Sequence, residues 1–167
     1  MMKTRKPLTH KSILIGLCFF TSLFCEMSSL NAQQAVSFDE HLASLSETAR
    51  VHLSDLAFNV QTTAYVASSS INVVGTGDAL LLEVNAADFS SINFNDASLA
   101  HVELVRIRVN SIEELSQLLS FSGASGLSNL SCVVILSSVE TTGSQLDSMV
   151  QDLSANVSKC YSVSISN

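Results

Sequence analysis

The chain has 167 residues, of which 15 are acidic and eight are lysine or arginine, so its formal net charge at pH 7 is −7. Four of the eight cations fall in residues 1–32, which leaves four cations against 14 carboxylates, a net charge of −10, in residues 33–167. Proteins bind phosphate backbones by neutralising them with lysine and arginine. Four scattered cations cannot do this, so nucleic acids and anionic lipid surfaces are excluded as partners.

Residues 1–32 have the organisation of a secretory signal peptide. Four basic residues and no acid precede an apolar run of 12 residues, 13–24, and a polar stretch ends at Ala32. A bilayer-crossing helix needs about 20 apolar residues, so this run is too short for an anchor and is typical of a signal peptide. We predict cleavage after Ala32 and export to the periplasm or the medium. The long basic start is typical of a bacterial signal.

Lipid attachment on Cys25 is the alternative fate of this segment. Lipoprotein processing requires a small residue directly before the cysteine, and Phe24 stands there. We therefore predict that the segment is removed and that residues 33–167 form a single exported α/β domain, a length that suits one domain. No membrane span is predicted after cleavage.

The first element after the cleavage point is predicted to be a helix from Phe38 to about Phe58. Apolar residues recur there at steps of three and four, which puts them on one stripe. Ser37, followed by Glu40, forms a capping box that marks the start. The next ten residues, which include "NVQTTAYV", have a strand-like composition and are left without an assignment.

The middle of the chain is predicted to contain a β-hairpin. "INVVGTGDALLLEV" has two apolar runs around Gly75 and Gly77, the pattern of two strands joined by a turn. "SSINF" is a candidate for a further short strand. The third glycine of a dinucleotide-binding fingerprint is missing after Gly77, and no cofactor is predicted.

The last third of the chain predicts a βαβαβ unit. Strands at "HVELVRIRV", "CVVILSSV" and "CYSVSIS" alternate with helices at "SIEELSQLL", capped by Ser111 with Glu114, and "TTGSQLDSMVQDL". This alternation implies parallel strands joined by right-handed crossovers. The fold class is therefore α/β or α+β, with an N-terminal helix, a hairpin-containing middle and a C-terminal βαβαβ unit with parallel strands.

Arg106 and Arg108 are the first candidate site, because they share one strand face opposite Val105 and Ile107. In so acidic a chain, this pair is a candidate contact for an anionic ligand or a carboxylate of a partner. The alternative is that both arginines pair with Glu or Asp residues of the protein itself.

Cys132 and Cys160 are the two cysteines that remain after cleavage, and we consider a disulfide between them. Each begins a predicted strand, and first residues of neighbouring parallel strands lie within the Cα separation that a disulfide needs. An oxidising compartment would maintain the bond, which would stabilise the domain by about 3–4 kcal/mol. The alternative is two buried free thiols that pack as small apolar groups.

The histidines do not predict a metal site. On one continuous helix, His41 and His52 would lie about 16 Å apart along the axis, too far for one ion. The chain also lacks the Gly-x-Ser-x-Gly and Ser-x-x-Lys motifs of serine hydrolases. We therefore expect a non-catalytic domain that binds a protein or surface partner. The alternative is an extracytoplasmic hydrolase in which His101 or His52 meets a serine and an acid across the fold.

Overall fold

A seven-stranded β-sheet forms the centre of the structure, a computed structural model that describes residues 34–165. Our expectations for the signal peptide, its cleavage after Ala32 and the alternative lipid on Cys25 lie outside the described residues. The strands are β1 Val36–Ser37, β2 Thr63–Ala67, β3 Ser70–Val74, β4 Leu81–Asn85, β5 Leu104–Val109, β6 Leu119–Ser120, β7 Cys132–Ser137, β8 Val150–Gln151 and β9 Ser158–Val163. The α-helices are α1 Phe38–Ser44, α2 Glu47–Phe58 and α3 Gly143–Met149.

The strand order of the main sheet is β1-β9-β7-β5-β4-β2-β3. All neighbours are parallel except β2 and β3, which are antiparallel. The two short strands β6 and β8 pair with each other, in parallel, outside the main sheet. The predicted α/β class with parallel C-terminal strands is confirmed.

The two faces of the sheet bury two separate apolar clusters, because successive side chains of a strand point to opposite faces. The segments that connect β4 to β9 cover one face, where Val105, Ile107 and Ile135 are fully buried. We call this the crossover face. Helices α1 and α2 cover part of the other face, where they pack on Leu81 and Leu104. We call this the helix face.

The predicted N-terminal helix begins where expected but is divided in two. The Ser37 side chain accepts a hydrogen bond from the Glu40 backbone N–H, which confirms the start. The chain is extended at Leu45, and Ser46 then caps α2 by accepting a hydrogen bond from the Ala49 N–H. The prediction of one continuous helix is wrong because this second cap interrupts it.

The hairpin lies earlier in the chain than predicted. It joins β2 to β3 through Ser68 and Ser69, which both have positive φ (49° and 68°), as a two-residue type I′ turn requires. Gly75 and Gly77 lie instead in the connection from β3 to β4, and β4 pairs in parallel with β2. The region of "SSINF" contains no strand. Its first two residues end the 3-10 helix Ala86–Ser91, and the 3-10 helix Ala97–Leu99 follows it.

The predicted helix "SIEELSQLL" is also wrong. Only Glu113–Ser116 form a 3-10 helix, and Leu119 then enters β6, where its side chain is fully buried. The carboxylate of Glu114 accepts a hydrogen bond from the Asn110 N–H, at 2.7 Å, and no side chain caps the 3-10 helix. The second predicted helix begins after its Thr142 cap but ends at Met149, because the next residues form β8.

Candidate functional site

The helix face changes from apolar to polar along the strands. On β4 the side chains of this face are Leu81, Glu83 and Asn85, and on β5 they are Leu104, Arg106 and Arg108. Helices α1 and α2 pack on the first residue of each set. The polar half lies toward the carboxyl ends of the parallel strands, where open α/β sheets commonly bind ligands. We call it the polar half-face.

Glu83 joins the two arginines that the sequence singled out. Glu83 Oε2 lies 3.2 Å from Arg106 Nη2, and Glu83 Oε1 accepts a hydrogen bond from Arg108 Nε at 2.5 Å. Arg106 Nη1 also donates to the Ala57 carbonyl oxygen near the end of α2, at 3.3 Å. Both arginines therefore contact an acid of the protein itself, which is the alternative that the sequence left open.

One carboxylate does not neutralise two guanidinium groups, so the cluster keeps one positive charge. The Arg106 side chain is half-buried, and its Nε is buried without a hydrogen-bond partner among the described residues. The Arg108 side chain is 47% exposed. Within residues 34–165, the side-chain hydrogen bonds of Arg108 involve its Nε alone. The Nη edge of Arg108 is therefore free to bind a further acceptor.

Two shallow pockets flank Arg108. The larger, about 250 Å³, is lined by Asn110, Leu136, Ser138 and Ser162 in addition to Arg108. The smaller, about 120 Å³, lies on the β4 side of Arg108. Tyr65 and Asn85 line this second pocket. The arrangement offers hydroxyl and amide groups on both sides of one exposed guanidinium group, which suits a small anionic group.

His52 and His101 pair with acids at separate places. His52 Nε2 lies 2.6 Å from Glu103 Oε2, and His101 Nε2 lies 3.6 Å from Asp78 Oδ2, with all four side chains accessible to solvent. In the part of the chain that the structure describes, no hydrogen bond joins a histidine ring to a serine hydroxyl. The hydrolase alternative thus has no geometric observation in its favour.

Cys132 and Cys160 lie on the neighbouring strands β7 and β9, both buried under α1 and α2. They do not lie side by side, because Cys132 faces Ser158 and Cys160 faces Val134. The prediction that the two cysteines face each other as the first residues of neighbouring strands is therefore wrong, because the strand pairing offsets them by two residues. Their Sγ atoms are 3.9 Å apart and not bonded. A disulfide would bring these two atoms to about 2.05 Å. The structure shows two separate thiols, and the disulfide stays a prediction.

His41 of α1 completes a cluster with these two thiols, which we call the thiol–imidazole cluster. One ring nitrogen of His41 and the two Sγ atoms all lie within 4.8 Å of one another. Burial lowers the pKa of His41, which favours the neutral imidazole. The hydrogen bond with Cys160, and then burial, raise the pKa of the Cys132 thiol. Sequence reasoning missed this cluster because it placed His41 and His52 on one helix.

Comparisons with known protein families, with curated proteins and with solved structures found no match. Among the described residues, no helix is both long enough and apolar enough to cross a membrane.

Proposed function

We propose that the protein is an exported, non-catalytic binding domain whose polar half-face binds a carboxylate of a protein partner. The observation that carries the proposal is the exposed Nη edge of Arg108, which Glu83 holds in place through Nε. Arginine binds carboxylates through paired N–H donors, and a guanidinium group that is already oriented loses less freedom on binding.

The charge of the molecule limits what this site can bind. The cluster has one net positive charge in a domain that is otherwise strongly acidic. A polyanion would be repelled by the rest of the surface, whereas a single carboxylate on a partner would meet only the local positive charge. This favours an acidic side chain or a chain terminus of a protein over nucleic acid.

The surroundings of Arg108 also suit a protein partner. Pockets of about 250 and 120 Å³ fall below the roughly 300–1,000 Å³ of typical small-molecule sites. Tyr65, which lines the smaller pocket, is 41% exposed. Exposed tyrosine beside arginine is typical of protein interfaces. A partner would therefore contact the Tyr65 ring next to the ion pair.

A capture experiment with charge-reversal variants tests this proposal. The purified protein and its Arg108→Glu variant are immobilised and exposed to the extracytoplasmic fraction of the native source. We expect a protein that is retained by the wild type and lost with Arg108→Glu. For that protein, Kd should rise by about 30-fold or more, since truncating a buried charge pair at an interface costs about 2 kcal/mol or more.

Arg50→Glu is the matched control, because Arg50 is an exposed arginine of α2 that pairs with Glu47 and lies outside the polar half-face. It makes the same change of net charge. If both variants lose the same proteins, retention depends on net charge and the proposed site is wrong. If Arg108→Glu retains everything that the wild type retains, Arg108 does not bind the partner.

Export is a separate part of the proposal, supported by the basic start and the short apolar run of residues 1–32. The native protein should have an N-terminus near Gln33, measured by N-terminal sequencing. An intact Met1 would contradict export, and a lipid on Cys25 would contradict cleavage after Ala32.

A further inference from the structure

We propose that His41, Cys132 and Cys160 form a binding site for one Zn²⁺ ion between α1 and the sheet. The site is independent of the polar half-face, and it uses three groups that no other part of the proposed function requires. Its three ligand atoms come from α1, β7 and β9, so the ion would connect the helix layer to two central strands.

The distance between the two sulfur atoms fits a metal ion better than a disulfide. Zinc binds thiolate sulfur at about 2.3 Å, and tetrahedral angles then place two sulfurs about 3.8 Å apart. The observed separation of Cys132 Sγ and Cys160 Sγ is 3.9 Å. A disulfide would require these atoms to approach to about 2.05 Å across strands whose cysteines are offset by two residues.

His41 needs only a small adjustment to join them. With a Zn–N distance of about 2.0 Å, the ring nitrogen of a tetrahedral site lies about 3.5 Å from each sulfur, and in this structure it lies within 4.8 Å of both. His41 is half-buried in the short helix α1, so a change of rotamer can close the remaining gap of at most about 1.3 Å.

The chemistry of the ligands selects the metal. Thiolates and imidazole prefer zinc and similarly soft ions, whereas calcium and magnesium require oxygen ligands. On binding, the two thiols lose their protons to water, and the two thiolates balance the two positive charges of the ion. The site then has no net charge, which is compatible with its position in an apolar cluster, since a buried net charge is costly. Water would take the fourth position.

Cobalt binding tests the site, because Co²⁺ takes the place of Zn²⁺ and absorbs light. The experiment uses the full chain with Cys18→Ser and Cys25→Ser, so that Cys132 and Cys160 are the only thiols. The reduced protein is titrated with Co²⁺ alone, without oxygen. We expect one Co²⁺ per chain, thiolate-to-metal charge-transfer absorption, and loss of that absorption when Zn²⁺ is added.

Two histidine variants make the test specific. His41→Ala should weaken Co²⁺ and Zn²⁺ binding by more than about 100-fold, because the loss of groups that merely support a ligand already costs roughly 10–100-fold. His52→Ala is the matched control and should bind as tightly as the wild type, since His52 pairs with Glu103 outside the cluster. His41 is not in the fully buried core, so circular dichroism should show that its variant folds.

Three results would overturn the proposal. The first is a folded, reduced protein with no charge-transfer absorption. The second is binding that His41→Ala leaves intact, or that His52→Ala weakens equally. The third is native protein, isolated without reductant, that lacks metal and gives a peptide linked between Cys132 and Cys160. That last result would establish the disulfide instead, because disulfide sulfurs cannot act as thiolate ligands.

Discussion

The crossover face and the helix face of the sheet are buried to different extents along the same strands. On β5, Val105, Ile107 and Val109 are all 0% exposed on the crossover face. On the helix face, exposure increases from the buried Leu104 through the half-buried Arg106 to the exposed Arg108. The connecting segments cover the crossover face along whole strands, whereas α1 and α2 cover the helix face near the strand starts. The stability of the domain thus depends mainly on the crossover face. On the helix face, the uncovered polar half-face is available for binding.

The largest expected effect is that of a charge on the crossover face. Ile135→Asp should prevent folding, because Ile135 is fully buried and an unpaired carboxylate there costs more than most of the roughly 5–15 kcal/mol that stabilise a domain. Val134→Asp, on the covered half of the helix face, should do the same. Soluble yield and circular dichroism measure both.

The matched control puts the same charge on the uncovered part of the helix face. Ser162→Asp lies in β9 beside the larger pocket, and we expect its free energy of unfolding to change by no more than about 0.5 kcal/mol. A Ser162→Asp variant that also fails to fold would show that the uncovered part of the helix face is as sensitive to charge as the buried positions.

The second effect concerns how closely the connecting segments pack over the crossover face. A Cβ atom at Gly126 would lie 1.9 Å from the carbonyl oxygen of Phe94. Both atoms belong to connecting segments, so Gly126→Ala must push them apart, and we expect a loss of about 3 kcal/mol in urea unfolding.

Gly123→Ala is the control, because a Cβ there meets nothing within 4 Å. Its positive φ of 82° should still cost about 1 kcal/mol. Equal losses for the two variants would mean that backbone strain, rather than close packing, limits this segment.

The sequence predicted the crossover face better than the helix face, for a physical reason. An unbroken apolar run such as residues 132–136 indicates burial on both faces, and the alternation along "LVRIRV" indicates which side chains share a face. Both are local patterns. They were sufficient to predict the parallel C-terminal strands and the shared face of Arg106 and Arg108.

The missed features depend on turns and on pairing between distant residues. The β2–β3 turn uses Ser68 and Ser69 at positive φ, where Asn-Gly is the usual signal, so the glycines further along the chain gave a misleading indication. The thiol–imidazole cluster depends on the pairing of the two-residue strand β1 with β9, which places α1 over Cys160. No local pattern indicates that pairing.

The third effect lies on the polar half-face. Glu83→Ala leaves the half-buried Arg106 without its carboxylate partner, and we expect a loss of about 2 kcal/mol, the value typical of a hydrogen bond to a charged group. Glu47→Ala removes the partner of Arg50 on the exposed surface of α2 and should cost less than about 0.5 kcal/mol. Thermal unfolding of both variants compares them. Equal losses would mean that the ion pairs of Glu83 stabilise the protein no more than the exposed Glu47–Arg50 pair does.

The smallest effect tests the division between α1 and α2, on which the position of His41 over the cysteines depends. Ser46 caps α2 through a hydrogen bond from the Ala49 N–H, at 3.4 Å. Ser46→Ala should therefore destabilise the protein by about 1 kcal/mol in urea unfolding. In one continuous helix, Ser46 would be an interior residue, and alanine there would stabilise by a few tenths of a kcal/mol. The sign of the change distinguishes the two arrangements.

Ser44→Ala provides the reference for that measurement. Its hydroxyl donates to the His41 carbonyl oxygen on the exposed surface of α1, and it caps neither helix, so we expect a change of no more than about 0.5 kcal/mol. If Ser46→Ala stabilises the protein relative to Ser44→Ala, the helix is continuous. His41 would then lie along one helix with His52, and the thiol–imidazole cluster would lose its third ligand. A destabilised Ser46→Ala supports the observed break and, with it, the position of His41 beside Cys132 and Cys160.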